Sequence, residues 1–208
     1  MPASLTEKPS PPIAQNPPRK RWNRTECQAL EATGIFDQQR LELIEGELID
    51  KMGKNRPHVD SLALLMGWLI QVFGSRRVNT AAPIDVAPED NPTNEPQPDL
   101  IVLNREYSGF RSVRPQPKDL DLVVEIDDSS LTFDINVKAA LYARAGIVDY
   151  WVLDLPGRRL IVHRNPIVDR NPGAGRYESV TSYDENESVA PLSAPNSPFP
   201  VREVFPEG

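Results

Sequence analysis

The stretch "LVVEIDDSS" at 122–130 carries one glutamate, Glu125, in an apolar run that ends in two aspartates and two serines. A buried strand tolerates a lone carboxylate only when something pairs with it. Asp99 follows a proline in "QPDLIVL" and opens a second apolar run, and Lys138 sits in the helix-forming "INVKAALYARAG". If the runs around Asp99 and Glu125 are neighbouring strands, their carboxylates converge at one end of a sheet. The helix that follows then brings Lys138 over the same spot. Two carboxylates aimed at one point repel each other unless a cation or a proton lies between them. Such an oxygen-rich site suits Mg2+ or Mn2+. A bound divalent ion polarises a phosphoryl oxygen and acidifies an attacking water, while a lysine stabilises developing charge. Asp99, Glu125 and Lys138 as catalytic residues, with Asp99 and Glu125 as metal ligands, are therefore the parts needed to hydrolyse a phosphodiester.

Other side chains could support this set. Asp134, Lys138 and Tyr142 recur every four residues and share a helical face. Asp134 could hold Lys138 in place or cap the helix. Asp127 belongs to the strand-to-helix turn and could approach the ion. An acidic segment, "LELIEGELIDKMG" at 41–53, offers Glu47 just after its turn glycine, ahead of Glu42 and Glu45; these carboxylates could equally form a solvated strand face. His58 could touch a phosphate or orient a water, and its plain alternative is a structural residue near a helix start. Ser129 and Ser130 read as turn caps, because no His–acid pair accompanies them.

The elements that must position these residues follow from hydrophobic periodicity. "TECQALEATGI" (25–35) reads as a helix with Thr25 as N-cap. Residues 41–53 read as two short strands meeting at Gly46, with Leu41, Leu43, Leu48 and Ile49 inward. Residues 58–73 present one broad apolar helical face. Strands are expected at 77–86, 99–104, 121–127, 149–155 and 159–164. A helix at 135–146 stops at Gly146. A late hairpin, "YESVTSY" with "SVAPL", is expected to close the sheet. The pattern is an α/β (α+β) core around one mixed sheet, with the 135–146 helix as a crossover.

Composition narrows the classes. Proline is abundant, with 22 in 208 residues. The Pro-rich residues 1–20 have too little apolar surface to offset ordering, so they read as a disordered arm before a domain at 21–208. The net charge of −7 argues against a generic nucleic-acid coat, though not against a local basic cleft. The basic run "PRKRWNR" at 18–24 reads as a nucleic-acid-touching arm or as a solubilising flank. One cysteine, Cys27, allows no intramolecular disulfide. No signal peptide is evident, and the most apolar segment is shorter than the ~20 residues of a membrane span. A cytoplasmic protein is expected.

The order "PDLIVL … DLVVEIDDSSLTFDINVKAALYARAGIVDYWVLDL" resembles the Uma family of bacterial restriction-endonuclease-like proteins, within the PD-(D/E)XK nuclease superfamily. The resemblance spans roughly residues 25–205. It rests on Glu42 and Glu47 in the acidic hairpin, Pro98–Asp99, Glu125, Ser129, Asp134, Lys138, Tyr142, Gly146 and Tyr150–Trp151. It implies a restriction-endonuclease-like fold and a Mg2+- or Mn2+-dependent DNA endonuclease, expected to act as a homodimer. Two residues after Glu125 the superfamily has lysine, whereas this chain has Asp127; the family's displaced lysine corresponds to Lys138. The competing expectation is a DNA-binding or regulatory protein that keeps the fold without turnover. A third is an interaction module that uses the Pro-rich arm as its ligand.

Overall fold

The computed structural model describes residues 19–37, 39–51, 55–169 and 174–205. Most of the arm expected at 1–20 therefore lies outside the described residues. Helix α1 (Arg24–Glu31) is capped by Asn23, two residues before the expected Thr25. Asn23 accepts a hydrogen bond from the Glu26 amide at 2.9 Å, and the Glu26 carboxylate accepts from the Asn23 amide at 3.0 Å. This reciprocal capping box satisfies two backbone donors, which a lone threonine cannot do.

Strands β1 (Leu41–Ile44) and β2 (Glu47–Asp50) form an antiparallel hairpin separate from the main sheet. Its turn residues Glu45 and Gly46 both have positive φ, 49° and 73°, the geometry that suits the twist of a two-residue hairpin. A side chain at Gly46 would also press on Arg21 and the Trp22 carbonyl. Leu43 and Ile44 are buried, whereas Leu48 and Ile49 are only partly so. Helix α2 (Arg56–Phe73) is capped by Asn55, which accepts from the His58 amide, with Pro57 in the first turn. Its inward face carries His58, Ser61, Leu65 and Leu69.

The main sheet holds β3 (Val78–Thr80), β4 (Leu100–Leu103), β5 (Leu120–Asp127), β6 (Asp149–Asp154), β7 (Arg159–Ile167) and β8 (Arg176–Asp184), in that spatial order. Only β5 and β6 run parallel; the other neighbours are antiparallel. A parallel pair needs a crossover, supplied by a π-helical turn (Phe133–Lys138) that continues into α3 (Ala139–Ala145). Gly146 ends α3 in the left-handed conformation, as expected. The expected strand at 77–86 stops at Thr80. Ala81 turns to φ 49° and its amide bonds the Pro98 carbonyl instead of continuing the ladder. The late hairpin does not close the sheet: β8 pairs with β7 at the edge, and β9 (Ser188–Val189) leaves to pair with β10 (Phe199–Pro200).

Both faces of the sheet are covered. Leu122, Val124 and Ile126 of β5 pack with Leu65 and Leu69 of α2 and with Phe199, Val201, Val204 and Phe205 near the C-terminus. Val123 packs on the other face with Tyr142 and Ala143 of α3. Leu122, Val123 and Val124 are all at 0% exposure, which is why β5 reads as a continuous apolar run rather than an alternating one. Strand parity then puts Glu125 on the α3 face. The register Leu100↔Val124, continued by one residue, sets Asp99 opposite Glu125. No helix among the described residues is long and apolar enough to cross a membrane.

Candidate active site

Asp99 sits just before β4 and is 2% exposed. Its Oδ2 accepts from the Ile126 amide at 3.0 Å, a bond that ties β4's entrance to the end of β5. His58 Nε2, from the first turn of α2, lies 3.4 Å from Asp99 Oδ1. Glu125 is equally buried. Its Oε1 accepts from Lys138 Nζ at 2.9 Å and from the Tyr142 hydroxyl at 3.0 Å. Its Oε2 and Asp99 Oδ1 face one nitrogen, Lys51 Nζ, at 3.7 and 3.8 Å. Lys51 follows β2, donates a hydrogen bond to the Gln97 carbonyl, and keeps 14% of its side chain exposed.

Lys138 is in a different situation. Its ammonium lies 2.7 Å from Glu42 Oε1, 2.9 Å from Glu125 Oε1 and 3.5 Å from Asp134 Oδ1, with the side chain 3% exposed. Glu42 is itself fixed, since its Oε2 accepts from the Gln97 amide at 3.1 Å. The π-helical turn buries both Asp134 and Lys138, where a regular helix was expected. Such widened turns recur at functional sites.

The electrostatics follow from burial. Desolvation pushes the Glu125 carboxyl up, against the opposing pull of Lys138 and Lys51. Asp134 is pushed up to about 7, again by burial first, with Lys138 opposing and Glu125 adding repulsion. Burial acts to lower the Lys138 ammonium, but Glu125, Glu42 and Asp134 outweigh it and hold its pKa above the usual lysine range. The Tyr142 hydroxyl is raised by burial and then by Glu125, so it stays a proton donor to that carboxylate.

The expected residues thus fall into two groups. Asp99, Glu125, Lys138, Asp134 and His58 come together. They line one cleft of about 280 Å³ with Lys51 and Arg40. Glu47 does not join them: its side chain is 43% exposed and pairs with Arg21 at 3.2 Å. The hairpin carboxylate that enters the site is Glu42, from the same face of β1 as Ile44. Because contacts cover both faces of β1, no period-two alternation marked Glu42 out. Glu45 is used elsewhere, pairing with the buried Arg144, whose Nε also meets Asp90 at 3.0 Å. Asp127 serves the turn, accepting from the Ser130 hydroxyl at 2.7 Å and from the Ser130 amide. Lys51 was missed altogether. The chain fold, rather than any local pattern, carries it from the hairpin exit to Asp99 and Glu125. Three cations of the basic run have acidic partners: Lys20 pairs with Glu26, Arg21 with Glu47, and Arg24 with Asp85.

The donor set fits a divalent cation. Among the described residues, the carboxylates Asp99, Glu125, Glu42 and Asp134 outnumber the ammoniums of Lys51 and Lys138 that line the same cleft. Two of the carboxylate oxygens already converge on a cationic nitrogen. Among the described residues no three His, Cys, Asp or Glu side chains form a ready metal cage. An ion here would rest on two carboxylates and complete its shell with water, which suits Mg2+.

A mixed central sheet flanked by helices is the restriction-endonuclease-like architecture. Over residues 25–199 the chain matches the Uma2 family, described as "Putative restriction endonuclease", and it belongs to that family. It is similar in fold to a crystal structure of "a putative nuclease belonging to DUF820" from Anabaena variabilis. That match has a TM-score of 0.60 and 16% identity, and covers 81% of this chain and 90% of the other. No curated protein matches the chain.

Proposed function

We propose that this protein is a Mg2+- or Mn2+-dependent endonuclease that hydrolyses DNA phosphodiester bonds. The observation that carries the proposal is the convergence of Asp99 Oδ1 and Glu125 Oε2 on one cation position within an acidic cleft. Asp99 and Glu125 would hold the ion, which when bound supplies Lewis acidity and a more acidic water. In the reaction, the oxygen of a water bonds to phosphorus. The ester P–O bond breaks with its electron pair on the sugar oxygen, which takes up, net, the proton that the attacking water gives up. The products are a phosphomonoester and a hydroxyl.

The chain's own residues prepare this step. The Ile126 amide orients Asp99 through Oδ2, and His58 Nε2 lies 3.4 Å from its Oδ1. Tyr142 and Lys138 fix Glu125 so that only Oε2 is turned towards Lys51. Glu42 and Asp134 hold Lys138 in turn. In this reading Lys138 acts through Glu125, instead of meeting the substrate as the sequence suggested. Cutting both strands with one site per chain calls for two copies, so a homodimer is part of the proposal; sedimentation equilibrium tests it.

The direct test is cleavage of supercoiled plasmid with Mn2+, Mg2+ or EDTA. The wild type should nick in the metals only, and Asp99→Asn should lose activity by about 100-fold or more while remaining folded. Equal cleavage by the variant would sink the assignment. One observation favours the alternative, a non-catalytic DNA-binding or regulatory protein: Lys138, the residue matching the family's lysine, is enclosed by carboxylates. Metal-independent DNA binding without cleavage would support that alternative.

A further inference from the structure

We infer that Lys51 is the lysine of this site that meets the scissile phosphate, and that Lys138 is a positioning residue. The inference rests on the nuclease reading above and adds to it a catalytic residue outside the Asp99–Glu125–Lys138 set.

The two lysines differ in what their protons already do. An ammonium has three N–H donors and no acceptor. Lys138 Nζ has three carboxylates within 3.5 Å and its side chain is 3% exposed. It can reach neither a phosphate nor a water without abandoning a buried partner. Lys51 spends one donor on the Gln97 carbonyl. Its two carboxylate neighbours, at 3.7 and 3.8 Å, lie beyond hydrogen-bonding distance. It lines the cleft directly and, at 14% side-chain exposure, is open to it. Its nitrogen is therefore a positive charge poised beside both proposed metal ligands, with donors to spare for an incoming anion.

That position has a second consequence. Lys51 and a divalent ion both occupy the field of Asp99 Oδ1 and Glu125 Oε2, so the ammonium repels the ion that it will later assist. Removing its charge should tighten metal binding while slowing the chemistry. A residue with a purely structural role would produce neither effect in that combination.

The experiment uses the full chain with Lys51→Met, Lys51→Arg and Lys138→Met, read by Mn2+ affinity from electron paramagnetic resonance, melting temperature without metal, and single-turnover plasmid cleavage. Lys51→Met should melt close to wild type and bind Mn2+ about tenfold more tightly. It should cleave about 100-fold more slowly, with partial recovery in Lys51→Arg. Lys138→Met should show its main effect in melting temperature. A folded Lys51→Met that cleaves at the wild-type rate, or binds Mn2+ no more tightly, overturns the inference while leaving the nuclease reading intact. A wild type that cleaves nothing overturns the nuclease reading, and the inference with it.

Discussion

At Lys138, three carboxylate oxygens share one buried nitrogen, and truncation would leave Glu42, Glu125 and Asp134 facing one another in low dielectric. Breaking such a cluster by removing one partner is far more costly than replacing the whole of it. Lys138→Met is expected to lose about 3–5 kcal/mol in urea unfolding, with metal absent throughout. His163 poses a different residue-scale question. It is 2% exposed, packed at a tilt against the rings of Tyr150 and Tyr177, and burial lowers its pKa to about 4. As pH falls from 6.5, the unfolded chain takes up this proton before the folded one, so stability is lost down to about pH 4. Asp134, held up to about 7, works in the opposite direction, costing stability as pH rises from about 4 to 7. Comparison of wild type with His163→Phe isolates the histidine. The wild-type advantage should shrink by up to about 3 kcal/mol between pH 7 and pH 4. A pH-independent difference would refute that account.

At the scale of elements, the site depends on the hairpin and the crossover being clamped together. Arg144 of α3 reaches Glu45 in the hairpin turn and Asp90 in the loop before β4, so α3, which packs over Glu125, cannot shift without moving the hairpin. The entrance to β8 is equally tight. A Cβ on Gly175 would lie 2.3 Å from the Ala140 carbonyl oxygen and against Arg144. Gly175→Ala should therefore cost about 1–3 kcal/mol, measured by thermal or urea unfolding, and should also disturb Arg144. The helix at 135–146 was legible because its residues are good helix formers bounded by a glycine. Its π-helical first turn was not. It sets Lys138 against Glu42 and Glu125 of other elements, contacts that no local propensity encodes.

For the whole molecule, the proposed function implies that the cleft carboxylates, brought together only by folding, make the folded state a better host for a divalent cation than the unfolded chain, where these residues are dispersed. Ligands that bind only the native state raise its melting temperature by mass action. Mn2+ should accordingly raise the melting temperature in a concentration-dependent way, EDTA should reverse the rise, and Asp99→Asn should abolish most of it. An equal shift in the variant would place the metal elsewhere. The same global arrangement gives part of the basic run a structural role. Arg24, from the first helix, is drawn to Asp85 and the Asn94 carbonyl, so this flank supports the fold of the loop before Asp99.

The sequence by itself marked out Asp99, Glu125 and Lys138 as candidates, together with most of the strands and helices around them. A proline–aspartate pair opening one apolar run and a lone glutamate in the next called for partners, because a buried carboxylate must find one; that the two runs are neighbouring strands came from the fold. Tertiary structure decided which lysine is enclosed and which is open to the cleft, and that Glu42 rather than Glu47 turns inward. It also decided that β8, without β9, forms the edge of the sheet. These outcomes depend on contacts between residues far apart in the chain. Lys51 meets Asp99 and Glu125, and Glu42 meets Lys138, only after the hairpin docks beside the crossover. The charge of a side chain is written locally, but its freedom to act depends on what the rest of the fold places within reach of it.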